Sequence, residues 1–396
     1  MEVLRFFLTA VALVAVSPVA VYCLEVIASC WKRRLAVLSD GKTARPRVAV
    51  LVPAHNEEAG IAVTLRSLQS QLLPDDQLVV VADNCQDNTA AVARQCKATV
   101  LERRDEYRRG KGFALAFGLE KLSSDPPAVV LFFDADCQIG PHTIEALASE
   151  ACSTGRPAQA LNLCEATGEG GTQQRINSFA FRFKNLVRTT GMSRLGGGCH
   201  LTGTGMALPW KLVDKVAWAT GNVVEDMQLG IDFTIAGYPP RFVPEASVRS
   251  SLPVSEAGQF AQRRRWEHGY LATAMDQVPL LFTHALERRS WALLVLAADM
   301  LVPPLALLSM ALGAAWMIAL LIWMIGLGAG PLAVVTAAMF CFAAATVLGW
   351  GLHCRQFAPA TLLLQVPRYL LAKAPLYLQF LTRREQQWVR AERSIR

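Results

Sequence analysis

The chain opens with a nearly unbroken apolar run. From residue 3 to residue 30 the only charged positions are Arg5 and Glu25, and the run stops at Trp31-Lys32-Arg33-Arg34. A bilayer core takes about 20 residues of helix, so residues 1–31 are expected to form one membrane-spanning helix. A cleaved leader is the competing reading. The run is longer than the ~7–15 apolar residues of such leaders, and Pro18 directly follows the one small-residue cleavage site at Ala15-Val16-Ser17. The basic residues after the run place the chain from Lys32 onward on the cytosolic side.

Between residues 45 and 255 the pattern changes to short β-branched runs alternating with helical stretches. Residues 48–53, 78–82, 99–102 and 129–133 read as buried strands, and 57–71, 89–96, 112–122 and 143–151 as the helices between them. Such alternation predicts an α/β domain with a mostly parallel sheet covered on both faces and ligands at the carboxyl ends of the strands. A basic, aromatic segment, 256–289, is expected to lie at the membrane interface. Within 290–352 two spans are expected, one over 290–326, where Pro303-Pro304 implies a tilted or kinked helix, and one over 330–352. Residues 357–381 are apolar but hold Arg368 and Lys373 and are interrupted by Pro359, Pro367 and Pro375. A further span would put Arg383, Arg384, Arg390, Arg393 and Arg396 outside, against the charge rule, so 353–396 reads as an interfacial helix with a cytosolic basic tail.

Composition sharpens this picture. A hydrophobic content of 53% is high for a purely soluble chain of 396 residues. The net charge of +7 sits beside apolar runs rather than in one basic stripe, which suits an anionic membrane surface and phosphate-bearing ligands; no nucleic-acid motif accompanies it. The ten cysteines form no C-x-x-C pair. A disulfide framework or zinc ribbon is therefore not expected, and the thiols fit a reducing, cytosolic compartment.

Acidic and glycine-rich motifs fall where the predicted strands end. The first strand ends at Pro53-Ala54-His55-Asn56-Glu57-Glu58. Asn56 as a helix cap with acids in the first turn explains these residue types; contact of this turn, Pro53, Asn56 and above all Glu57, with a ligand explains them equally. The second ends at Asp83-Asn84, an ordinary turn or a carboxylate for a nucleobase or ribose. Lys111, between Gly110 and Gly112 at a helix start, suits phosphate. Asp134-Ala135-Asp136 puts two carboxylates at the end of a hydrophobic strand, where a hard divalent cation bridging Asp134 and Asp136 to a diphosphate would relieve their repulsion. The glycines around Gly203-Thr204, and the run Gly196-Gly197-Gly198, mark close backbone approach. At Glu225-Asp226, one carboxylate is either a helix-start acid or a general base. Gln262-Arg263-Arg264-Arg265-Trp266 reads as an interfacial anchor, or as an arginine clamp on a leaving diphosphate beside a tryptophan that stacks on a sugar.

In this order the motifs resemble the family-2 glycosyltransferases of GT-A fold, in the membrane-bound branch that holds cellulose, chitin and hyaluronan synthases and ceramide glucosyltransferases. The resemblance runs over residues 47–266. It implies a Rossmann-like catalytic domain with about three transmembrane helices, and a UDP-sugar donor bound with Mg²⁺ or Mn²⁺. By that likeness Asp83 is the uracil-binding acid and Asp136, with Asp134 beside it, the metal ligand at the diphosphate. Asp226, preceded by Glu225, is the catalytic base, and Gln262, Arg265 and Trp266 close over diphosphate and acceptor, with Gly203 and Thr204 nearby. The implied reaction inverts the anomeric carbon at the cytosolic face of the plasma membrane.

Relative to the large synthases this chain has few spans and no D/N-x-S-x-x-G regulatory motif. Either a polysaccharide acceptor with a separate export partner or a lipid acceptor reached along the bilayer accommodates that difference. A nucleotidyltransferase also uses strand-end carboxylates and a metal but has no need of Arg265-Trp266. A silent scaffold needs none of Asp136, Asp226 and Trp266.

Overall fold

A computed structural model describes residues 1–31, 45–165, 171–219, 224–251 and 256–382. Lys32, Arg33 and Arg34, and the basic residues from Arg383 to Arg396, lie outside the described residues. The chain divides into two compact units. Of the described residues, one holds 45–165, 198–219, 224–251 and 256–269, the other 1–31, 171–197 and 270–382.

The described residues of the first unit form eight strands: β1 Val48–Ala54, β2 Gln77–Asp83, β3 Thr99–Arg103, β4 Val129–Phe132, β5 Cys137–Ile139, β6 Ala158–Glu165, β7 Met206–Pro209 and β8 Arg241–Ser251. They form one sheet in the order β3-β2-β1-β4-β7-β6-β8-β5. The four strands expected from the pattern are its parallel half, β3-β2-β1-β4. The other half is mixed: β7 runs antiparallel to β4 and β6, β8 parallel to β6, and β5 antiparallel to β8.

The composition of β1 explains its central place. Val48, Val50, Val52 and Ala54 enter one core with Ile61, Leu65, Leu131 and Ile144. Ala49 and Leu51 enter the opposite core with Leu115, Leu119, Phe132 and Leu208. A strand apolar on both faces is the signature of a sheet covered on both sides, and each fully buried Val or Leu stabilises it by about 1.5–3 kcal/mol.

The first helix is Ile61–Gln69, four residues later than expected. Asn56 is not its cap. It adopts φ 53°, and its Oδ1 accepts from Gln86 N at 2.7 Å. The next two amides donate to the loop after β2, Glu57 N to Thr89 Oγ1 at 2.7 Å and Glu58 N to Asp87 Oδ2 at 3.1 Å.

The second unit is helical. The N-terminal apolar run is two helices, Glu2–Ala15 and Ser17–Ser29, bent by 40° at the break, with Pro18 in the first turn of the second, where its missing N–H costs nothing. The run 290–326 is likewise not one kinked helix but two, Trp291–Met300 and Leu305–Met324. Pro303 and Pro304 withhold two amide donors and push the residues before them out of the α region, which ends the first helix. Among the described residues two helices, Leu305–Met324 and Gly330–Cys354, are long and apolar enough to cross a membrane, and three spans result if the bent N-terminal pair is one. The region 357–381 forms Ala360–Leu363 and Val366–Thr382, the latter with Pro375 inside it.

Phe183 is fully buried in this unit, stacked on Tyr22 at 6.1 Å and edge-on to Phe179 at 5.8 Å, so these phenylalanines are core. The glycine run before residue 198 does mark close approach: a Cβ on Gly197 would lie 2.5 Å from Val295 Cγ1. Glu25, an isolated interruption in the sequence pattern, meets Arg188 Nε at 2.7 Å, and Arg188 Nη2 meets Asp299 Oδ1 at 2.8 Å, all three buried. All ten cysteines are free thiols.

Candidate active site

The site grows from the carboxyl ends of the parallel strands in the sheet unit. β4 delivers Asp134, whose backbone N–H donates to Thr204 Oγ1 at 3.1 Å. Lys111, first residue of the helix Lys111–Leu122, donates through Nζ to Asp134 Oδ1, and to Gly203 O at 2.7 Å. Gly203 has φ 80°, and a Cβ there would lie 3.0 Å from Asp226 Oδ2 and 3.1 Å from Lys111 Nζ. The left-handed conformation and the crowding both demand glycine. Glu225 and Asp226 open the helix Glu225–Ile235, whose N-terminal dipole favours negative charge.

Charge in this cluster is unbalanced. Burial and the neighbouring Asp226 carboxylate push Glu225 up to about 7, against the pull of Lys111. Burial disfavours the Lys111 ammonium, yet Asp134, Glu225 and Asp226 outweigh it and its pKa is raised. Burial lowers the pKa of Arg265, while Glu225, Asp134 and Asp226 act in the opposite direction. Three carboxylates thus converge on two cations contributed by different elements. Asp136, two residues past Asp134, is half-buried, as is Trp266. Gln262 is buried in the same helix, Glu256–Glu287, as Arg265.

The nucleobase candidate sits at the far side of β1. Asp83 ends β2 and is buried. Its Oδ1 accepts from Arg103 Nη1 at 2.7 Å and from Asn84 Nδ2 at 3.1 Å. Pro53 lies on β1 in register with Val81, and His55 Nδ1 is 2.7 Å from Asp83 O. The structure therefore gathers Lys111, Asp134, Gly203, Thr204, Glu225, Asp226 and Arg265 about one point, and Asp83 with the Asn56–Glu57 loop about the adjacent strand ends. Among the described residues no group of three or more His, Cys, Asp or Glu forms a metal site.

Two supporting residues escaped the sequence reading. Arg103 is paired with Asp83 by the β2–β3 register; the signal was a basic residue at the end of the strand beside a strand-end acid. Gln159, buried on β6, holds the glycine loop by donating to Thr204 O at 2.9 Å and accepting from Thr202 N at 2.9 Å. A lone glutamine on a strand with no β-branched residues gave no usable signal.

The fold is that of the GT-A glycosyltransferases. The profile described as Glycosyltransferase like family 2 matches residues 46–269, more than half of the chain, and the chain belongs to that family. Among curated relatives it is 28% identical over 243 residues to the probable glycosyltransferase YdaM of Bacillus subtilis, covering 57% of this chain and 55% of that protein. To the beta-monoglucosyldiacylglycerol synthase of Trichormus variabilis it is 25% identical over 274 residues, 66% of this chain and 57% of that protein. In each case the match spans little more than half of the relative's length. Among solved structures, the mannosyltransferase PcManGT from Pyrobaculum calidifontis, in complex with GDP-Man and Mn²⁺, superposes with a TM-score of 0.56 at 20% identity, covering 97% of this chain and 99% of that one. At that identity the likeness is one of fold.

Proposed function

We propose that this protein is an inverting glycosyltransferase that moves a sugar from a UDP-sugar to an acceptor hydroxyl at the cytosolic face of a membrane. The convergence of Asp134, Glu225 and Asp226 on Lys111 and Arg265 beside Gly203 carries the reading. Asp226 takes the acceptor proton as the oxygen attacks the anomeric carbon. Glu225, held toward its neutral form near pH 7, keeps the pair from carrying two full negative charges. Lys111 and Arg265 offset the charge of the departing diphosphate, an effect strengthened in a buried site. Gln262 and Trp266, on the helix of Arg265, line the acceptor side, with Thr204 positioning the β4 end. Asp83 receives the uracil, and Pro53, Asn56 and Glu57 border it.

Asp134 and Asp136 fit Mg²⁺ or Mn²⁺ in chemistry. They are hard oxygen donors two residues apart, and such ions are commonly held by one or two carboxylates plus substrate phosphate and water. A bound ion would supply neutralisation of the diphosphate.

The acceptor is read first as a growing cell-envelope polysaccharide, on the synthase-like order of motifs, with export by a partner. A lipid acceptor is the second reading, favoured by the likeness to a diacylglycerol-glucoside synthase. The membrane layout proposed with either is an anchor over 1–31, a catalytic region over 45–255, an interfacial segment over 256–289, two spans in 290–352 and an interfacial, basic C-terminal region.

The test is UDP release by the detergent-solubilised full chain across UDP-glucose, UDP-GlcNAc, UDP-galactose and UDP-glucuronate with Mg²⁺ or Mn²⁺. Asp226→Asn is expected to lower turnover by roughly 10²–10⁴-fold with no loss of melting temperature. Equal release by both proteins removes Asp226 as base. Partition of labelled product into organic solvent would select the lipid acceptor, and retention in the ethanol-insoluble fraction the polymer.

A further inference from the structure

Asp83 has only one carboxylate oxygen left to offer a ligand. Its Oδ1 accepts two hydrogen bonds, from Arg103 Nη1 at 2.7 Å and Asn84 Nδ2 at 3.1 Å, which fill the two lone-pair directions of one carboxylate oxygen. This arrangement is built into the ladder: β2 and β3 are parallel with Asp83 in register with Arg103, and Asn84 N donates to Arg103 O at 2.8 Å. Arg103 is held in turn from its other side. Its Nη2 donates to Asp105 Oδ2 at 3.0 Å and to Arg108 O at 2.7 Å, its guanidinium carbon lies 5.8 Å from the centre of the Phe113 ring, and its side chain is only 9% exposed. Asp105 is fixed by Tyr107 N at 3.0 Å and Arg108 N at 2.9 Å. Neither member of the pair is free to swing.

A base presents its donors along the Watson–Crick edge, where enzymes read it. Uracil has one donor there, N3–H, and a single acceptor oxygen satisfies it. Guanine has two adjacent donors, N1–H and the N2 amino group, which match a carboxylate only when both of its oxygens are available. We propose that Arg103 is the positioning residue for base selection: by occupying Asp83 Oδ1 it makes this site accept uridine and reject guanosine diphosphates. The inference rests on the donor class proposed above and deepens it. One buried guanine donor left without an acceptor costs affinity on the order of tenfold.

Titration of UDP and GDP into the detergent-solubilised full chain at constant Mn²⁺ tests it. The wild type is expected to bind UDP about tenfold or more tighter than GDP. Arg103→Gln is expected to narrow that ratio severalfold by gaining GDP affinity, Asn84 still occupying one lone-pair direction of Asp83 Oδ1. Asn84→Ala, which empties one lone-pair direction while leaving Arg103 in place, is expected to narrow it partway and serves if Arg103→Gln does not fold. Asp83→Asn is expected to lose UDP affinity, having lost the acceptor charge. A wild type that binds GDP as tightly as UDP, or a ratio unmoved in folded Arg103→Gln or Asn84→Ala, overturns the inference while the transferase reading stands. If neither nucleotide binds the wild type, the donor class is wrong and the inference falls with it.

Discussion

Two of the charge clusters among the described residues, one in each unit, are enclosed differently. In the helical unit, Arg188 spans Glu25 and Asp299, with hydrogen bonds of 2.7 and 2.8 Å and every partner buried. In the sheet unit, Asp134, Glu225 and Asp226 face Lys111 and Arg265, most of them half-buried, beside a glycine where a Cβ would crowd both an acid and the ammonium. The first group joins three chain segments far apart in sequence and offers no surface to a ligand. The second stands at strand ends, carries charges that perturb one another, and keeps part of its surface in contact with solvent. Titratable groups at an accessible site whose environments push them apart are characteristic of catalysis; an ion group closed off from solvent, in which one arginine joins two acids, is characteristic of structure.

The largest expected effect breaks the enclosed group. Arg188→Met leaves Glu25 and Asp299 buried without their cation, and removing one partner of such a group costs about 3–5 kcal/mol. The half-life of the solubilised protein at fixed temperature should fall accordingly, and adding Glu25→Gln with Asp299→Asn should recover most of it. If Arg188→Met instead left stability intact and abolished turnover, the contrast between the two groups would be lost.

Lys111→Met tests the other side. Loss of one preorganised cation at a site of developing charge is expected to lower UDP release by roughly 10²-fold, with a far smaller loss of stability than Arg188→Met because the site is open to water. Smaller still is the pH effect of Glu225. The folded protein keeps a proton on Glu225 up to about pH 7, whereas the unfolded chain releases it around the ordinary value of 4.5. Folding stability from this group is therefore present at low pH and is lost as pH rises from about 4.5 to about 7. Glu225→Gln should match the wild type at pH 4 and exceed it in melting temperature by several °C, as an order of magnitude, above pH 7. A difference independent of pH would show that the group is not strained. Last, Glu102→Gln removes the partner of the exposed Arg94 and should leave the melting temperature unchanged within the precision of the measurement, the baseline for a solvated pair.

The two halves of the sheet explain which elements were legible in the sequence. β1, β2 and β4 are apolar, β-branched and buried on both faces, so the pattern alone marks them, and the acids at their ends emerge as ligand candidates. β6 reads Ala-Gln-Ala-Leu-Asn-Leu-Cys-Glu, a composition a helix tolerates as well. It becomes a strand because β7 and β8 lie on either side of it. The same reason hid Gln159: its value lies in reaching Thr202 and Thr204, more than forty residues on.

Local chemistry in the sequence determined the α/β alternation, the apolar runs and the list of acids, since each depends on neighbouring residues within a few turns or one strand. Only the tertiary structure decided that Lys111 lies between Asp134 and Gly203, that Asp83 shares Arg103, and that Glu25 belongs to Arg188. Those pairings depend on strand register and helix packing between distant segments, and the strength of a buried charge is set by the groups the fold brings beside it rather than by its sequence neighbours.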